Sequence, residues 1–177
     1  MRTRLADIRF LKDVRGASAV EFALVAGPLL FLICACIELA LVFLLSVTLD
    51  NATEQAARGI RTGLTTSANT SKEAFRQSVC DNMGWLSGSC TSNLNLDVQT
   101  YDSFALAATP VDPLASKQVV ASNFAYNVGA GSKIQMVRAY YEWPLFTPML
   151  QGAFNKLSNN DIVITAKVVF RNEPFSS

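Results

Sequence analysis

The sequence is dominated by an apolar run from Phe22 to Val47, in which Glu38 is the only charged residue. A helix of this length would measure about 39 Å, and a bilayer has a hydrocarbon core of roughly 30 Å. Only 16% of the whole chain is charged, against about 25% in a typical globular protein. We therefore expect the run to cross a lipid bilayer as a single tilted helix.

Charge is distributed unevenly on the two sides of this run. Residues 1–15 contain five basic and two acidic side chains, whereas the rest of the chain contains ten basic and twelve acidic ones. Basic flanks stay in the cytoplasm by the positive-inside rule. We expect residues 1–16 to be a basic cytoplasmic leader and the C-terminal part to be exported. A net charge of only +1 also argues against nucleic-acid binding.

The four cysteines fall into two pairs. Cys80 and Cys90 follow the apolar run on the exported side, where thiols oxidise, so one disulfide between them is the simple expectation. Cys34 and Cys36 lie inside the apolar run, where thiols behave as small apolar groups. We interpret this second pair as packing residues and not as metal ligands.

The helical pattern continues beyond the apolar run. Four apolar residues keep a helical spacing there: Leu49, Ala52, Ala56 and Ile60. Charged residues occupy the other faces, and Gly63 is suited to cap the helix. We expect one long helix over residues 17–63, which includes a transmembrane segment over 22–47 and becomes amphipathic in its second half.

Residues 64–177 have the pattern of a small α+β domain. A short helix is predicted to open at Ser71 and to end near Met83. Alternating apolar and polar residues predict strands from Leu94 and over 162–170, and a β-branched and aromatic run predicts a third strand over 133–143. Residues 117–128 fit either a helix or a strand, and a loop or short helix is expected over 147–157. The expected fold class is α+β, a long pilin-like transmembrane helix followed by an exported antiparallel sheet of about three to four strands.

The junction between the leader and the apolar run carries a processing pattern. The leader ends at Gly16, and Ala17 is followed four residues later by Glu21 and Phe22. A secretory signal peptide has its cleavage site after its apolar region, whereas here the candidate site precedes it. The pattern resembles that of type IVb prepilins, which a membrane-embedded aspartyl peptidase cuts after the glycine.

Longer stretches resemble the TadE-like family of pseudopilins from tight-adherence (Flp) pilus systems. They are RGASAVEFALVAGPLL, which begins at Arg15, and LDNATEQAARGIRTG, which begins at Leu49. Residues 128–145 and the terminal FRNEPF over 170–175 are similar to this family as well, so the resemblance covers the chain from end to end. It implies a pseudopilin or minor pilin, not an enzyme, that assembles or primes a pilus for surface attachment.

The resemblance also implies a site, partners and a location. A prepilin peptidase would cut between Gly16 and Ala17, and Glu21 would pair with the new amino terminus of a neighbouring subunit. The implied partners are the lipid bilayer, the major Flp-type pilin, a companion pseudopilin, the prepilin peptidase and the inner-membrane pilus machinery. The protein would cross the bacterial inner membrane once, with its C-terminal domain in the periplasm, or would be incorporated into the pilus at the cell surface.

Two further features of the apolar run are unusual for a membrane helix. A carboxylate such as that of Glu38 costs on the order of 2.5 to 3.5 kcal/mol near a bilayer centre. Either a contact with another subunit's helix or a protonated or snorkelling side chain would explain it. Pro28, which follows Gly27, removes an amide donor and predicts a helix kink. An ordinary membrane-helix proline is the alternative.

Signatures of catalysis are missing from the sequence. It contains no histidine, which excludes histidine-based triads and most zinc sites, and it has no P-loop or dinucleotide fingerprint. We expect neither an enzyme nor a cofactor or metal site. Two alternatives remain open: a periplasmic binding or sensing domain held by an unprocessed signal anchor, and a lipoprotein with Cys36 as its lipidated N-terminus.

Overall fold

A computed structural model describes residues 17–147, 150, 152, 157–159 and 161–175. The predicted leader, including Gly16, lies outside these residues, as does most of the predicted loop or short helix over 147–157. The described elements are four α-helices and three strands: α1 (Ala17–Arg61), α2 (Lys72–Asp81), α3 (Ser87–Asn93), β1 (Leu94–Tyr101), α4 (Phe104–Ala108), β2 (Ile134–Trp143) and β3 (Ile162–Arg171). Short 3-10 helices lie at Gly84–Leu86 and Ala121–Asn123. This is the predicted α+β class.

The chain separates into two compact units, Met1–Leu39 and Ala40–Ser177. The first contains the more apolar part of α1. The second contains the rest of α1, the shorter helices and the sheet. The predicted division into segments 1–16, 17–63 and 64–177 stays a prediction.

The three strands form one antiparallel sheet in the order β1-β2-β3. Leu96 lies opposite Ala139 on β2, and Ala139 lies opposite Ala166 on β3. Because successive side chains of a strand point to opposite faces, this register places one series of apolar residues from all three strands on a shared face. The two predicted strands with clear alternation, β1 and β3, are confirmed, and so is the β-branched and aromatic run of β2.

The apolar face of the sheet packs against the outer part of α1. Six buried side chains of the helix enter this core: Leu45, Leu49, Ala52, Ala56, Ala57 and Ile60. They meet Leu96, Val137 and Ala166 from the three strands. Burying each large apolar side chain contributes roughly 1.5 to 3 kcal/mol relative to leaving it in water. The predicted amphipathic half of the helix is therefore the half that builds the core of the domain.

The helix ends where the sequence predicts. Arg61 is its last residue, and Gly63 adopts a left-handed backbone conformation with φ +78°. The amide of Thr65 donates to the carbonyl oxygen of Gly59 at 2.9 Å, which closes the end of the helix. Glycine suits this position because its φ is costly for residues with a Cβ.

The second face of the sheet is covered by the chain between β1 and β2. The side chain of Phe124 packs edge-on against Tyr140, with ring centroids 5.5 Å apart. Residues 117–128, which fit either a helix or a strand by sequence, form instead a loop with one 3-10 turn and one isolated parallel bridge, from Tyr126 to Val98. The reason is that backbone groups of this loop bond to β1 and to the Asp97 carboxylate, so they do not form a regular element.

Candidate membrane and processing segment

The candidate processing site lies beside the first described residues of α1. The description of the helix starts at Ala17, and the predicted cleavage position after Gly16 adjoins it. Glu21 and Phe22 follow with exposed side chains, and Phe22 is 74% exposed. A chain cut after Gly16 would therefore carry its new amino group on a residue that is part of α1.

The helical geometry places Glu21 and Ala17 on one face. Residues four apart in a helix are neighbours, so an amino group on Ala17 and the carboxylate of Glu21 would lie within reach of an ion pair. The pair could form within one chain or between two chains, because the Glu21 side chain is exposed. The positive end of the helix dipole favours a carboxylate in this region in both cases.

The apolar part of α1 has the dimensions of a membrane span. Its side chains are mostly exposed, and 11% of its most apolar stretch is buried within the chain. The core helix of a water-soluble protein would be mostly buried, so this helix differs from that class. A signal sequence near the N-terminus shares the same length and apolar composition. The helix is thus long and apolar enough to serve as a membrane anchor.

The helix is continuous through Gly27 and Pro28. A Cβ atom added at Gly27 would meet no other atom within 4 Å, so no close packing within the chain requires glycine there. Proline still lacks the amide that would donate to the preceding turn. The kink at this position stays a prediction.

Glu38 behaves differently from Glu21. Its side chain is 4% exposed and interacts within the single chain. Cys34 and Cys36 are free thiols with exposed side chains. The sequence left two explanations open for Glu38, a contact with another subunit's helix and a protonated or snorkelling side chain. Both stay predictions.

The predicted disulfide between Cys80 and Cys90 is confirmed. Cys80 is in the last turn of α2, Cys90 is in α3, and their Cα atoms are 5.5 Å apart. Ser71 caps α2 as predicted, since its Oγ accepts a hydrogen bond from the amide of Ala74 at 3.1 Å. Both cysteines are completely buried in the domain core. The bridge therefore joins two short helices within that core.

A buried ion pair lies on the second face of the sheet, and sequence reasoning missed it. The guanidinium of Arg138 on β2 donates to one carboxylate oxygen of Asp97 on β1, from Nη2 at 2.6 Å and from Nε at 3.0 Å. The two side chains are 5% and 0% exposed. Arg138 also donates to the carbonyl oxygen of Val111 at 2.9 Å, and the amide of Ala125 donates to Asp97 at 2.9 Å. The pair thus fastens the covering loop to the sheet.

Burial changes the titration of groups around this pair. It raises the pKa of Tyr140 to about 12, because the phenolate would lose its hydration. It lowers the pKa of Lys72, whose Nζ donates to the carbonyl oxygen of Phe124 at 2.6 Å. Burial also raises the pKa of Glu142 at the far end of β2. Lys72 and Glu142 each make a hydrogen bond within the domain, Lys72 to the carbonyl oxygen of Phe124 and Glu142 with the side-chain amide of Asn95.

The same face carries an open cleft of about 400 Å³. Asp112, Lys117, Tyr140 and Thr165 contribute its polar lining. Among the described residues, no group of three or more Cys, Asp or Glu side chains is arranged to hold a metal ion. The cleft offers polar contacts and no recognisable reactive constellation.

The site residues predicted from sequence lie mainly in one segment, from Gly16 to Glu38. A comparison with known protein families gave a match that includes this segment. Residues 16–58 match the family model of TadE-like proteins. The predicted resemblance to TadE-like proteins is confirmed for these residues. The resemblance of residues 128–145 and 170–175 stays a prediction. None of the curated proteins and none of the solved structures matches the chain.

Proposed function

We propose that this chain is a pseudopilin or minor pilin that assembles or primes a tight-adherence pilus used in surface attachment. The observation that carries the proposal is the TadE-like match, which starts where the basic leader ends. The leader ends at Gly16, and the match begins at residue 16. A prepilin peptidase acting at this position would remove the basic leader.

In this proposal α1 anchors the protein in the bacterial inner membrane. The leader faces the cytoplasm, as the positive-inside rule requires, and the domain formed after residue 40 is exported to the periplasm. An oxidising periplasm is also the environment in which the bridge between Cys80 and Cys90 persists. The protein acts by packing against other pilin-like subunits, namely a major Flp-type pilin and a companion pseudopilin.

Glu21 has a direct role in this mechanism. Removal of the leader creates an amino group with a pKa near 8, which is mostly cationic at neutral pH. Burying that cation in a bundle of helices is costly unless an anion accompanies it. The exposed carboxylate of Glu21 supplies the anion to a neighbouring subunit. Assembly then neutralises both charges at once, whereas a lone subunit keeps both at the membrane surface.

Replacing Glu21 tests this role. We expect Glu21→Ala to insert into the membrane normally but to be recovered with pilin partners at a level reduced by about tenfold, because one unpaired charge must be buried. Co-purification from detergent-solubilised membranes measures the effect. Asp50→Ala is a matched control, since Asp50 is an exposed acidic residue of the same helix outside the apolar run. Normal recovery of Glu21→Ala would remove the proposed role of this side chain.

A further inference from the structure

The two edges of the sheet differ in their backbone hydrogen bonds. On the β1 edge, the amide of Val98 donates to the carbonyl oxygen of Ala125 at 2.9 Å, and the amide of Asn127 donates to Val98 at 2.8 Å. On the β3 edge, none of the backbone hydrogen bonds between described residues reaches the outer side of the strand. The fold thus pairs one edge with a loop and leaves a ten-residue strand open on the other.

The register of β2 and β3 identifies the open backbone groups. The amide of Asn172 donates to the carbonyl oxygen of Lys133 at 2.8 Å, just beyond the two strands. Hydrogen-bonded pairs alternate in an antiparallel ladder, so the even-numbered residues of β3 bond to β2. The odd-numbered residues therefore direct their amides and carbonyls outward: Val163, Thr165, Lys167, Val169 and Arg171. A second strand can dock on this series.

A cleft runs beside the open edge on the face that carries α1. It has a volume of about 220 Å³ and lies between the helix and the C-terminal half of β3. Ala57, Val168 and Phe170 give it an apolar floor. The side chains of a strand added to β3 would alternate between this face and the opposite one. Every second side chain of the added strand would therefore enter the cleft, which suits an aliphatic residue.

The surroundings of the C-terminal half of the edge are mainly basic. Lys167 and Arg171 are exposed on the face opposite the cleft, and Arg58 and Arg61 line the cleft itself. Two acidic residues offset them in part: Glu54 also lines the cleft, and Glu173 lies 3.8 Å from Arg61 in an exposed ion pair. An added strand whose second face carries carboxylates would complement Lys167 and Arg171.

We propose that β3 is a docking edge for an extended segment of a partner protein in which aliphatic and acidic residues alternate. Main-chain hydrogen bonds to the odd-numbered residues of β3 supply the affinity for the added strand. The cleft and the basic side chains supply the specificity. The aliphatic side chains enter the cleft beside α1, and the acidic side chains meet Lys167 and Arg171.

A second copy of the chain fits this edge less well. The two-fold axis that relates two antiparallel β3 strands stands at right angles to the sheet, so it reverses the direction of everything packed on that sheet. Residues 40–61 of α1 in the two copies would then run in opposite directions. Two copies anchored in one membrane must run the same way, which favours a strand from a different protein.

A peptide-binding measurement on the full chain in detergent micelles tests this docking edge. The probe is a fluorescein-labelled peptide of about nine residues in which valine and glutamate alternate, long enough to cover β3 at roughly 3.3 Å per residue. We expect saturable binding of this probe. A peptide with lysine in place of glutamate, and one with the same composition but with its valines consecutive, should bind at least about tenfold more weakly.

Two kinds of variant separate docking from folding. Thr165→Pro removes an outward backbone amide without removing a hydrogen bond to β2. It should weaken binding of the probe about fivefold. Lys167→Glu with Arg171→Glu should weaken binding of the probe about tenfold. Arg76→Glu, a charge reversal on α2, should leave this binding unchanged. The melting temperature of each variant shows whether it is folded. If Thr165→Pro or the double charge variant has unfolded, the milder Lys167→Gln tests the contribution of the basic side chain instead.

The outcomes that would overturn the proposal are distinct. No binding of either peptide would mean that Lys167 protects the edge from pairing, as edge lysines commonly do. Equal affinity of the acidic and basic peptides would remove the proposed role of the basic side chains. A disulfide formed between a Thr165→Cys copy and a Lys167→Cys copy, in a background with Cys34→Ala and Cys36→Ala, would assign the edge to a second copy instead. None of these results depends on whether the leader is cleaved after Gly16.

Discussion

The two parts of α1 show how one helix can serve two surroundings. Residues 17–39 carry large apolar side chains that are mostly exposed, such as Leu24, which is 70% exposed. Residues 40–61 bury one stripe, including the completely buried Leu49 and Ala52, and expose charged residues on the others. The same backbone geometry thus supports an apolar surface suited to lipid and a half that packs on a sheet. The difference lies in whether the apolar residues surround the helix or follow a 3.6-residue period.

The largest expected effect comes from placing charge in each part in turn. Leu32→Arg with Ile37→Arg should prevent membrane integration, because each arginine costs about 2.5 to 3.5 kcal/mol in the bilayer centre. Ala52→Arg should instead leave integration intact and unfold the domain, since the site has no space or partner for a charge. Alkaline extraction of membranes and protease resistance of the domain measure the two results. If the two variants were extracted from membranes to the same extent, the proposed separation of α1 into a membrane part and a domain part would be wrong.

The buried ion pair gives the next largest effect and concerns the exported part alone. Arg138→Met leaves the Asp97 carboxylate buried without its partner and should lower the free energy of unfolding by about 3 to 5 kcal/mol. Asp97→Leu combined with Arg138→Met should recover part of that loss. Urea denaturation followed by tryptophan fluorescence measures both. A double variant as unstable as Arg138→Met would show that the hydrogen bonds to Val111 and Ala125 matter more than the charge.

The two pairs of cysteines provide a matched comparison. Cys80→Ala with Cys90→Ala opens a short covalent loop and should lower the free energy of unfolding by roughly 2 to 3 kcal/mol. Cys34→Ala with Cys36→Ala removes two thiols from the apolar part and should leave this free energy unchanged. Urea denaturation of the two double variants in detergent makes the comparison. Similar losses in both would contradict the assignment of Cys34 and Cys36 to a surface outside the domain core.

The smallest effect is a dependence on alkaline pH. Tyr140 has a folded-state pKa of about 12, whereas an unfolded tyrosine titrates near 10. The contribution of its protonated side chain to the free energy of unfolding is therefore complete below pH 10 and is lost as the pH rises to 12. This predicts a loss of about 1 kcal/mol by pH 11. Lys72 has a lowered pKa and acts in the opposite direction as it deprotonates. Tyr140→Phe should therefore be less sensitive between pH 9 and 11 than the parent chain, which denaturation at both pH values would reveal.

Some elements followed from local sequence patterns. The alternation in β1 and β3, the Ser71 cap and the Gly63 turn each depend on neighbours within a few residues, and each was predicted. The disulfide was predictable because only two cysteines follow the apolar run. From the sequence pattern alone, polar residues on a strand are predicted to face solvent. This prediction was wrong at one place.

That place is the second face of the sheet. Asp97 and Arg138 occupy polar positions of β1 and β2, which sequence alternation assigned to solvent, yet a long loop buries both. Whether such a loop folds over a sheet depends on contacts far apart in the chain, such as Phe124 with Tyr140. The burial of Glu38 is likewise a tertiary property that a helical pattern alone does not contain.

The mass of the mature protein tests the central claim most directly. The chain should be extracted from membranes of a bacterium that makes the pilus and measured intact by mass spectrometry, with Gly16→Leu and Gly27→Ala as a matched pair. Gly27→Ala adds a methyl group where no atom lies within 4 Å. We predict that the parent chain and Gly27→Ala begin at Ala17 and that Gly16→Leu keeps its leader. A parent chain that retains residues 1–16 in cells with functional pili would contradict the account and favour the unprocessed signal anchor.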